Sequence, residues 1–335
     1  MKERKYRVAS MFAGVGGICL GFQRAGAEIV WANEFDKNAC ETYRRNFGDY
    51  YLVENDIHNI NTKDVPEFDI LTSGFPCQAF SIAGERKGFK DQRGHLFFET
   101  LRFIRDKRPR AFFIENVKNL VSHDGGKTFR IMYEALADEG YLIKTQVLNS
   151  MEYGNVPQNR ERIYMVGFLH SEECEDFHFP GPIPLKTSIK DIIQKNIRKD
   201  DKYYYSSKSQ YYNMFKESIT KEDRVYQLRR IYVRENKSGV CPTLTANMGT
   251  GGHNVPLIID EFGIRKLTPK ECFMIQGFPN DFKLPENVSN GQLYKQAGNS
   301  VTVSVIERIA QNILETMKFY DLTHSEEKLK KTANY

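Results

Sequence analysis

The sequence predicts an α/β protein: a twisted, mainly parallel sheet with helices on both faces, joined to a smaller, irregular segment that is mainly β. Three observations carry this expectation. Short apolar runs alternate with amphipathic stretches as far as Phe168, the pattern of strands joined by crossover helices. The alternation stops at Phe179-Pro180-Gly181-Pro182-Ile183-Pro184, where three prolines and a glycine punctuate six residues. Helical periodicity then returns at Val301–Met317, with Val301, Val305, Ile309 and Ile313 at four-residue spacing. That apolar face needs a partner, and the first sheet is the available one.

The elements follow in order. Arg7 to Phe12 reads as a first strand, and Ala13-Gly14-Val15-Gly16-Gly17 as a turn into a helix from Ile18 to Ala25. Strands are expected at Glu28–Ala32, Tyr50–Val53, Phe68–Thr72, Ala111–Ile114, Tyr141–Leu148 and Arg162–Phe168. Helices are expected at Asp36–Asn46, Leu96–Asp106 and Thr128–Asp138, the last closed by Gly140. Gly239 to His253 is rich in Gly and Thr, which argues against a helix. The organisation that results is a first domain over 1–181, a second over 182–285, a returning segment over 286–320 and a polar, frayed tail over 321–335.

Composition bounds the function. The chain has 335 residues, 40% hydrophobic and 27% charged, enough for a sizeable core. No apolar run reaches membrane-spanning length, and the charged N-terminus leads straight into a strand, so a cytoplasmic protein is expected. The six cysteines form no C-x-x-C pair, which points to neither a metal site nor a disulfide framework. Net charge is +5, and it is unevenly spread: Lys186–Lys237 holds 14 Lys or Arg against 7 Asp or Glu, interleaved with tyrosines from Tyr203 to Tyr232. That segment is either a polyanion-binding surface or a solvated face with structural tyrosines.

Several motifs sit where sheet edges place chemistry. Gly14, Gly16 and Gly17 allow a ligand close to the backbone at a helix N-terminus. Cys19 occupies the third glycine position of a dinucleotide fingerprint, so a nucleoside cofactor without a pyrophosphate fits better than NAD. Glu34, at the end of the second strand, stands where a carboxylate accepts ribose hydroxyls, and Asp56 could take an adenine amino group. A tight turn with two exposed acids is the plain alternative. Cys77, in Gly74-Phe75-Pro76-Cys77-Gln78-Ala79-Phe80-Ser81, follows a strand on a loop edge, as a reactive thiol or a packed one. Glu115 ends the apolar run Phe112-Phe113-Ile114, where a partly desolvated carboxylate can share a proton. Arg160 and Arg162, at i and i+2 of an extended stretch, point the same way, toward an anion, a base or a carboxylate, or into a surface pair with Glu161.

Phe12-Ala13-Gly14-Val15-Gly16-Gly17, Gly74-Phe75-Pro76-Cys77-Gln78, Glu115-Asn116-Val117, Gln158-Asn159-Arg160-Glu161-Arg162 and Gln296-Ala297-Gly298-Asn299-Ser300-Val301 together resemble the ordered motif set of DNA cytosine-5 methyltransferases. The resemblance runs from about Val8 to Met317, and the chain is similar to the compact bacterial enzymes of restriction–modification systems. It implies a Rossmann-like methyltransferase sheet of mixed strand direction, S-adenosylmethionine as cofactor with S-adenosylhomocysteine as product, no metal, double-stranded DNA as partner, a functionally linked restriction endonuclease and a monomeric enzyme. It implies that Cys77 attacks cytosine C6, that Glu115 engages N3, and that Arg162 and Arg160 support the base. Phe12, Gly14, Gly16, Gly17, Glu34, Phe35, Asp56, Ile57, Pro76, Asn299 and Ser300 would line the cofactor pocket, with Phe35 stacked on adenine. Gln78, Ser81, Arg86 and Lys87 would contact DNA from a catalytic loop, and Thr243 and Leu244 would back the contact made by a target-recognition domain. A tRNA cytosine-5 methyltransferase of the same fold is an alternative, disfavoured by the large basic segment. A non-catalytic DNA-binding relative is a second, disfavoured by the presence of Cys77, Glu115 and Arg162.

Overall fold

The computed structural model describes residues 5–76, 96–193, 195–250 and 254–333, with side chains to 325. Seven strands form the main sheet: β1 (Arg7–Met11), β2 (Glu28–Glu34), β3 (Leu52–Glu54), β4 (Ile70–Ser73), β5 (Ala111–Val117), β6 (Leu142–Asn149) and, after the two-residue β7 (Gln158–Asn159), β8 (Glu161–Phe168). Their spatial order is β3-β2-β1-β4-β5-β8-β6. The pairs from β3 to β5 are parallel, while β8 runs antiparallel to both β5 and β6. The sheet is therefore mixed, and the order reverses between β1 and β4, where open α/β sheets place ligands beyond the carboxyl ends of their strands.

The central strands are buried on both faces, so their residues alternate between two cores, whereas the edge strands β3 and β6 are partly exposed. Val8, Ile29, Phe113 and Val166 face one layer, packed by α1 (Gly17–Arg24) and the returning helix through Val305, Ile306, Ile309 and Ile313. Met11, Leu71, Phe112 and Ile114 face the other, packed by α3 (Leu96–Lys107) and α4 (Lys127–Asp138), while α2 (Lys37–Phe47) follows β2. Gly21 lets the returning helix press on α1: a Cβ there would stand 2.6 Å from Ile306 Cγ2.

Short helices α5 (Ser150–Tyr153), α6 (Ser171–Asp176), α7 (Ile189–Ile192) and α8 (Tyr212–Ser218) lead into a second sheet. It consists of β9 (Val225–Arg229), β10 (Tyr232–Asn236), β12 (Leu257–Asp260) and β13 (Gly263–Lys266), all antiparallel, in the order β10-β9-β12-β13. Between them β11 (Cys241–Pro242) leaves this sheet and pairs with β7. Arg265 is fully buried between Asp260 at 2.6 Å and Glu271 at 2.8 Å. Burial lowers its pKa, but the Glu271 and Asp260 carboxylates outweigh that and the net shift is upward.

The region expected to be irregular also contains α9 (Pro269–Ile275), and the returning segment holds α10 (Asn290–Asn299) ahead of α11 (Val303–Ala333). The signal for α9 is present in the sequence, because Thr268 and Glu271 form a capping box with Pro269 at the first helical position. Gly291 and Gly298 mask α10 by lowering its helix propensity. The polar tail from Asp321 was expected to fray, yet α11 continues to Ala333, since Lys and Glu are good helix formers and polarity alone does not end a helix. Arg110 fixes the start of that tail, donating to Glu173, Asp321 and the Met317 carbonyl.

Candidate active site

The glycine turn after β1 is built for close approach. Phe12 has φ 54°, an unusual backbone for a bulky residue, and Gly14 and Gly16 have φ 56° and 88°. Among the described residues nothing lies within 4 Å of where a Gly14 Cβ would stand, so the space over this glycine is open to them. A Cβ on Gly16 would overlap the Phe47 ring, and one on Gly17 would stand 2.9 Å from Ser300 Oγ. The end of α10 thus packs directly on the start of α1.

Glu34 holds this turn in place. Its Oε2 accepts the Gly14 N–H at 2.9 Å, and its Oε1 accepts the N–H groups of Phe35 and Asp36 at 2.9 and 2.8 Å. A carboxylate offers about four acceptor positions, so a position remains for a ligand hydroxyl. Phe35 is 69% exposed despite its size and stands beside the turn. Asp36 caps α2 and pairs with Lys295 of α10 at 3.1 Å. Burial works against its ionisation, but Lys295 and the N–H groups of Ala39 and Asn38 prevail and its pKa is lowered.

The neighbouring strand end supplies Asp56 and Ile57. The Asn55 N–H donates to the Glu34 carbonyl at 3.1 Å, so the two strand ends adjoin. Ile57 is buried, and its carbonyl accepts Arg102 Nη2 at 3.1 Å. Of the other residues expected here, Ser300 adjoins the turn at Gly17, while Phe12 follows β1, Pro76 follows β4 and Asn299 ends α10. Pro76 and Asn299 are exposed, and Ser300 is buried.

The second cluster lies at the end of β5. Glu115 is 8% exposed, and its carboxylate lies 3.0 Å from Arg162 Nε. The register sets this pairing: Glu115 opposes Tyr164 and Val117 opposes Arg162, so the acid and the cation are diagonal neighbours on one face. Burial of the acid is met by a counter-ion of equal burial. Glu115 Oε2 also lies 3.9 Å from where a Gly74 Cβ would stand, three residues before Cys77. Asn116 Nδ2 donates to the Phe75 carbonyl at 3.1 Å and ties the start of the Cys77 segment to β5. Cys77, Gln78, Ser81, Arg86 and Lys87 lie outside the described residues.

Arg160 does not share the position of Arg162. It is fully buried, and its guanidinium donates to the Leu244 carbonyl at 2.9 Å, to the Gly298 carbonyl at 3.3 Å and to the Ser300 carbonyl. Its burial, then the charge of Arg162, brings its pKa down to about 9, still a cation at neutral pH. Although the resemblance gives both arginines to the base, Arg160 clamps three carbonyls on two main-chain segments, while Arg162 faces the acid. Glu161 pairs with Lys118 at 2.8 Å rather than with either arginine.

Thr243 and Leu244 dock on the same joint. Thr243 Oγ1 donates to the Asn159 carbonyl at 2.7 Å, and the Leu244 N–H donates to Gln158 Oε1 at 3.1 Å. The Leu244 side chain is 1% exposed and packs into the joint, a place from which it can back a contact but not make one in this conformation. Behind it runs a buried polar chain that sequence reading missed. Gln158 Nε2 donates to Gln276 Oε1 at 3.0 Å, Gln276 Nε2 donates to the Ala297 carbonyl at 2.9 Å, and Thr302 bridges Gln276 and Ser150. No local signal marks these residues, because their partners lie more than a hundred positions away in part.

Comparisons with known proteins agree with this geometry. The model of the family described as C-5 cytosine-specific DNA methylase matches residues 6–315. The chain is 59% identical over 314 residues to the Type II methyltransferase M.Bsp6I of Bacillus sp. (strain RFL6), covering 93% of this chain and 99% of that protein. It is 39% identical to the Type II methyltransferase M.HhaI of Haemophilus parahaemolyticus, covering 93% and 95%. The crystal structure of S. pombe Dnmt2 methyltransferase shares the fold, with a TM-score of 0.72 at 21% identity over 93% of this chain and 99% of that one. With a family match over nearly its whole length and relatives well above the level at which membership is secure, the chain belongs to the C-5 cytosine-specific DNA methylase family.

Proposed function

We propose that this enzyme methylates carbon 5 of one cytosine in a short duplex DNA sequence, with Cys77 as nucleophile, and that it protects DNA from a cognate restriction endonuclease. The observation that carries the mechanism is the buried Glu115–Arg162 pair, set beside Gly74 at the entrance to the Cys77 segment. Cytosine C6 is a weak electrophile, so the ring must be polarised at N3 while the thiolate attacks. Glu115 shares a proton with N3 and Arg162 supports the developing charge, both held in place before the base arrives. The Cys77 sulfur bonds to C6, ring electrons make C5 nucleophilic, and C5 accepts the methyl group. Loss of the C5 proton and expulsion of Cys77 then restore the ring. A base inside a duplex is out of reach, so it must be flipped at a cost of a few kcal/mol.

S-adenosylmethionine supplies an electrophilic methyl group when bound. The residues present fit it: open space over Gly14, the exposed Phe35 ring, a remaining acceptor position on Glu34 and the half-exposed Asp56 carboxylate. Phe35 would stack on adenine, Glu34 would accept ribose hydroxyls, and Asn299 and Ser300 would close the pocket with Pro76. The segment 182–285, with its basic balance and separate sheet, would read the target sequence. Among the described residues no helix is long and apolar enough to cross a membrane.

Bisulfite sequencing of DNA from cells that express the chain tests the proposal and reads the target site together. Protected cytosines in one short sequence are expected. Methyl transfer to tRNA instead of duplex DNA, or full turnover by Cys77→Ser, would overturn it.

A further inference from the structure

We propose that His58 is a positioning residue for the adenine end of the cofactor: its ring holds one oxygen of Asp56, which leaves the other directed to the adenine amino group. The inference rests on the reading of Asp56 above.

Asp56 Oδ1 accepts the His58 N–H at 3.0 Å and also lies 2.6 Å from His58 Nδ1. The carboxylate is the acceptor, so Nδ1 carries the proton in this pair. Asp56 Oδ2 has no hydrogen-bond partner among the described residues, and the side chain is 55% exposed. The His58 N–H and then its ring lower the Asp56 pKa, which keeps the carboxylate an acceptor.

The main chain of this turn is fixed without the imidazole. Ile57 is buried, and Arg102, itself paired with Glu99 at 2.6 Å, donates to the Ile57 carbonyl. The Asn55 N–H binds the turn to Glu34, and Asn33 Nδ2 donates to the Val53 and Asn55 carbonyls. What the ring adds is the orientation of one side chain. The terminal torsion of an aspartate is broad, and a single bond to a backbone N–H leaves its second oxygen free to swing. A second donor on the same oxygen removes that freedom before the ligand binds, which is preorganisation. The sequence alone gives no warning, since Asp56-Ile57-His58 reads as an ordinary exposed turn.

The test is calorimetric binding of S-adenosylhomocysteine and of its analogue with purine in place of adenine, which lacks the 6-amino group. His58→Ala should weaken the adenine ligand about 3- to 10-fold and the purine ligand less than about 2-fold. His58→Asn, which retains a donor, should recover part of the loss. In an Asp56→Ala background, His58→Ala should cause no further loss. Equal weakening of both ligands by His58→Ala would assign the ring to support of the turn and overturn the proposal, as would no weakening at all. If Asp56→Ala left the preference for the amino group intact, the reading of Asp56 itself would fail, whatever His58 did.

Discussion

Arg160→Met is the substitution whose outcome separates two roles for this residue. It removes the donors to three carbonyls, those of Leu244, Gly298 and Ser300, at a fully buried position. A buried acceptor left without its donor costs about 1–3 kcal/mol, with carbonyls at the lower end because they hold two lone pairs. Three such losses come to roughly 3–6 kcal/mol. The variant also removes a buried cation that the Arg162 charge disfavours and that no carboxylate contacts among the described residues. Relief of that burial returns a few kcal/mol, which leaves a net loss of about 2–4 kcal/mol. Arg160→Lys keeps the charge but not the fork, and should gain nothing over Met. Urea unfolding, compared at constant m, measures the loss. Below the transition, affinity for S-adenosylhomocysteine and for DNA should both fall, because the clamped carbonyls belong to the segments flanking the two sites. A variant within about 1 kcal/mol of the parent that nonetheless lost turnover would refute the clamp and return Arg160 to the reacting base.

Three further outcomes follow from the same geometry. Glu115→Gln should lower turnover about 10²- to 10⁴-fold with cofactor affinity retained, measured by tritiated methyl transfer beside calorimetry; a loss under about 10-fold would remove Glu115 from the chemistry. Gly298→Ala would set a Cβ 2.1 Å from the Thr245 carbonyl carbon and should cost about 2 kcal/mol or more, whereas Gly181→Ala, with no described residue within 4 Å, should stay within about 0.5 kcal/mol. Asp36 has a lowered folded pKa, so its contribution is present above the ordinary carboxylate range and is lost as pH falls through the folded value. Asp36→Asn should therefore lower Tm at pH 7, with the gap to the parent closing below about pH 4; a gap independent of pH would place the loss in packing rather than charge.

The main sheet was legible because its central strands are buried on both faces and read as apolar runs bounded by turns. Helices with one apolar stripe were equally legible: the ends of α1 to α4 differ from expectation by at most a residue, while α11 runs on well past Met317. The candidate site was legible where chemistry sits at strand ends: Gly14, Glu34 and Glu115 each lie at the edge that the pattern assigned them. Arg160 and Arg162 show where such reading stops. Their spacing predicts one direction for both, yet their partners come from β5 in one case and from residues 244, 298 and 300 in the other. Only the fold decides which environment each cation enters. The Gln158–Gln276–Thr302 chain was invisible for the same reason, because a glutamine carries no local signature of a partner distant in sequence. α10 was hidden differently, since the glycines that weaken it as a helix are the ones its packing requires.

Main-chain groups contribute to the joint between the two sheets. β11 pairs with β7, Arg160 grips carbonyls, Gly298 abuts the Thr245 backbone, and a Gly249 Cβ would stand 2.5 Å from the Gly291 carbonyl oxygen. The mount does constrain its occupant at a few places: Gly249 has no room for a Cβ, and Leu244 is buried in the joint. The residues that reach outward from β9 and β10, such as Tyr232 and the 87% exposed Ile231, can be replaced without disturbing how their segment is mounted. The outward face of this hairpin and the mount that holds its segment can therefore vary independently of each other.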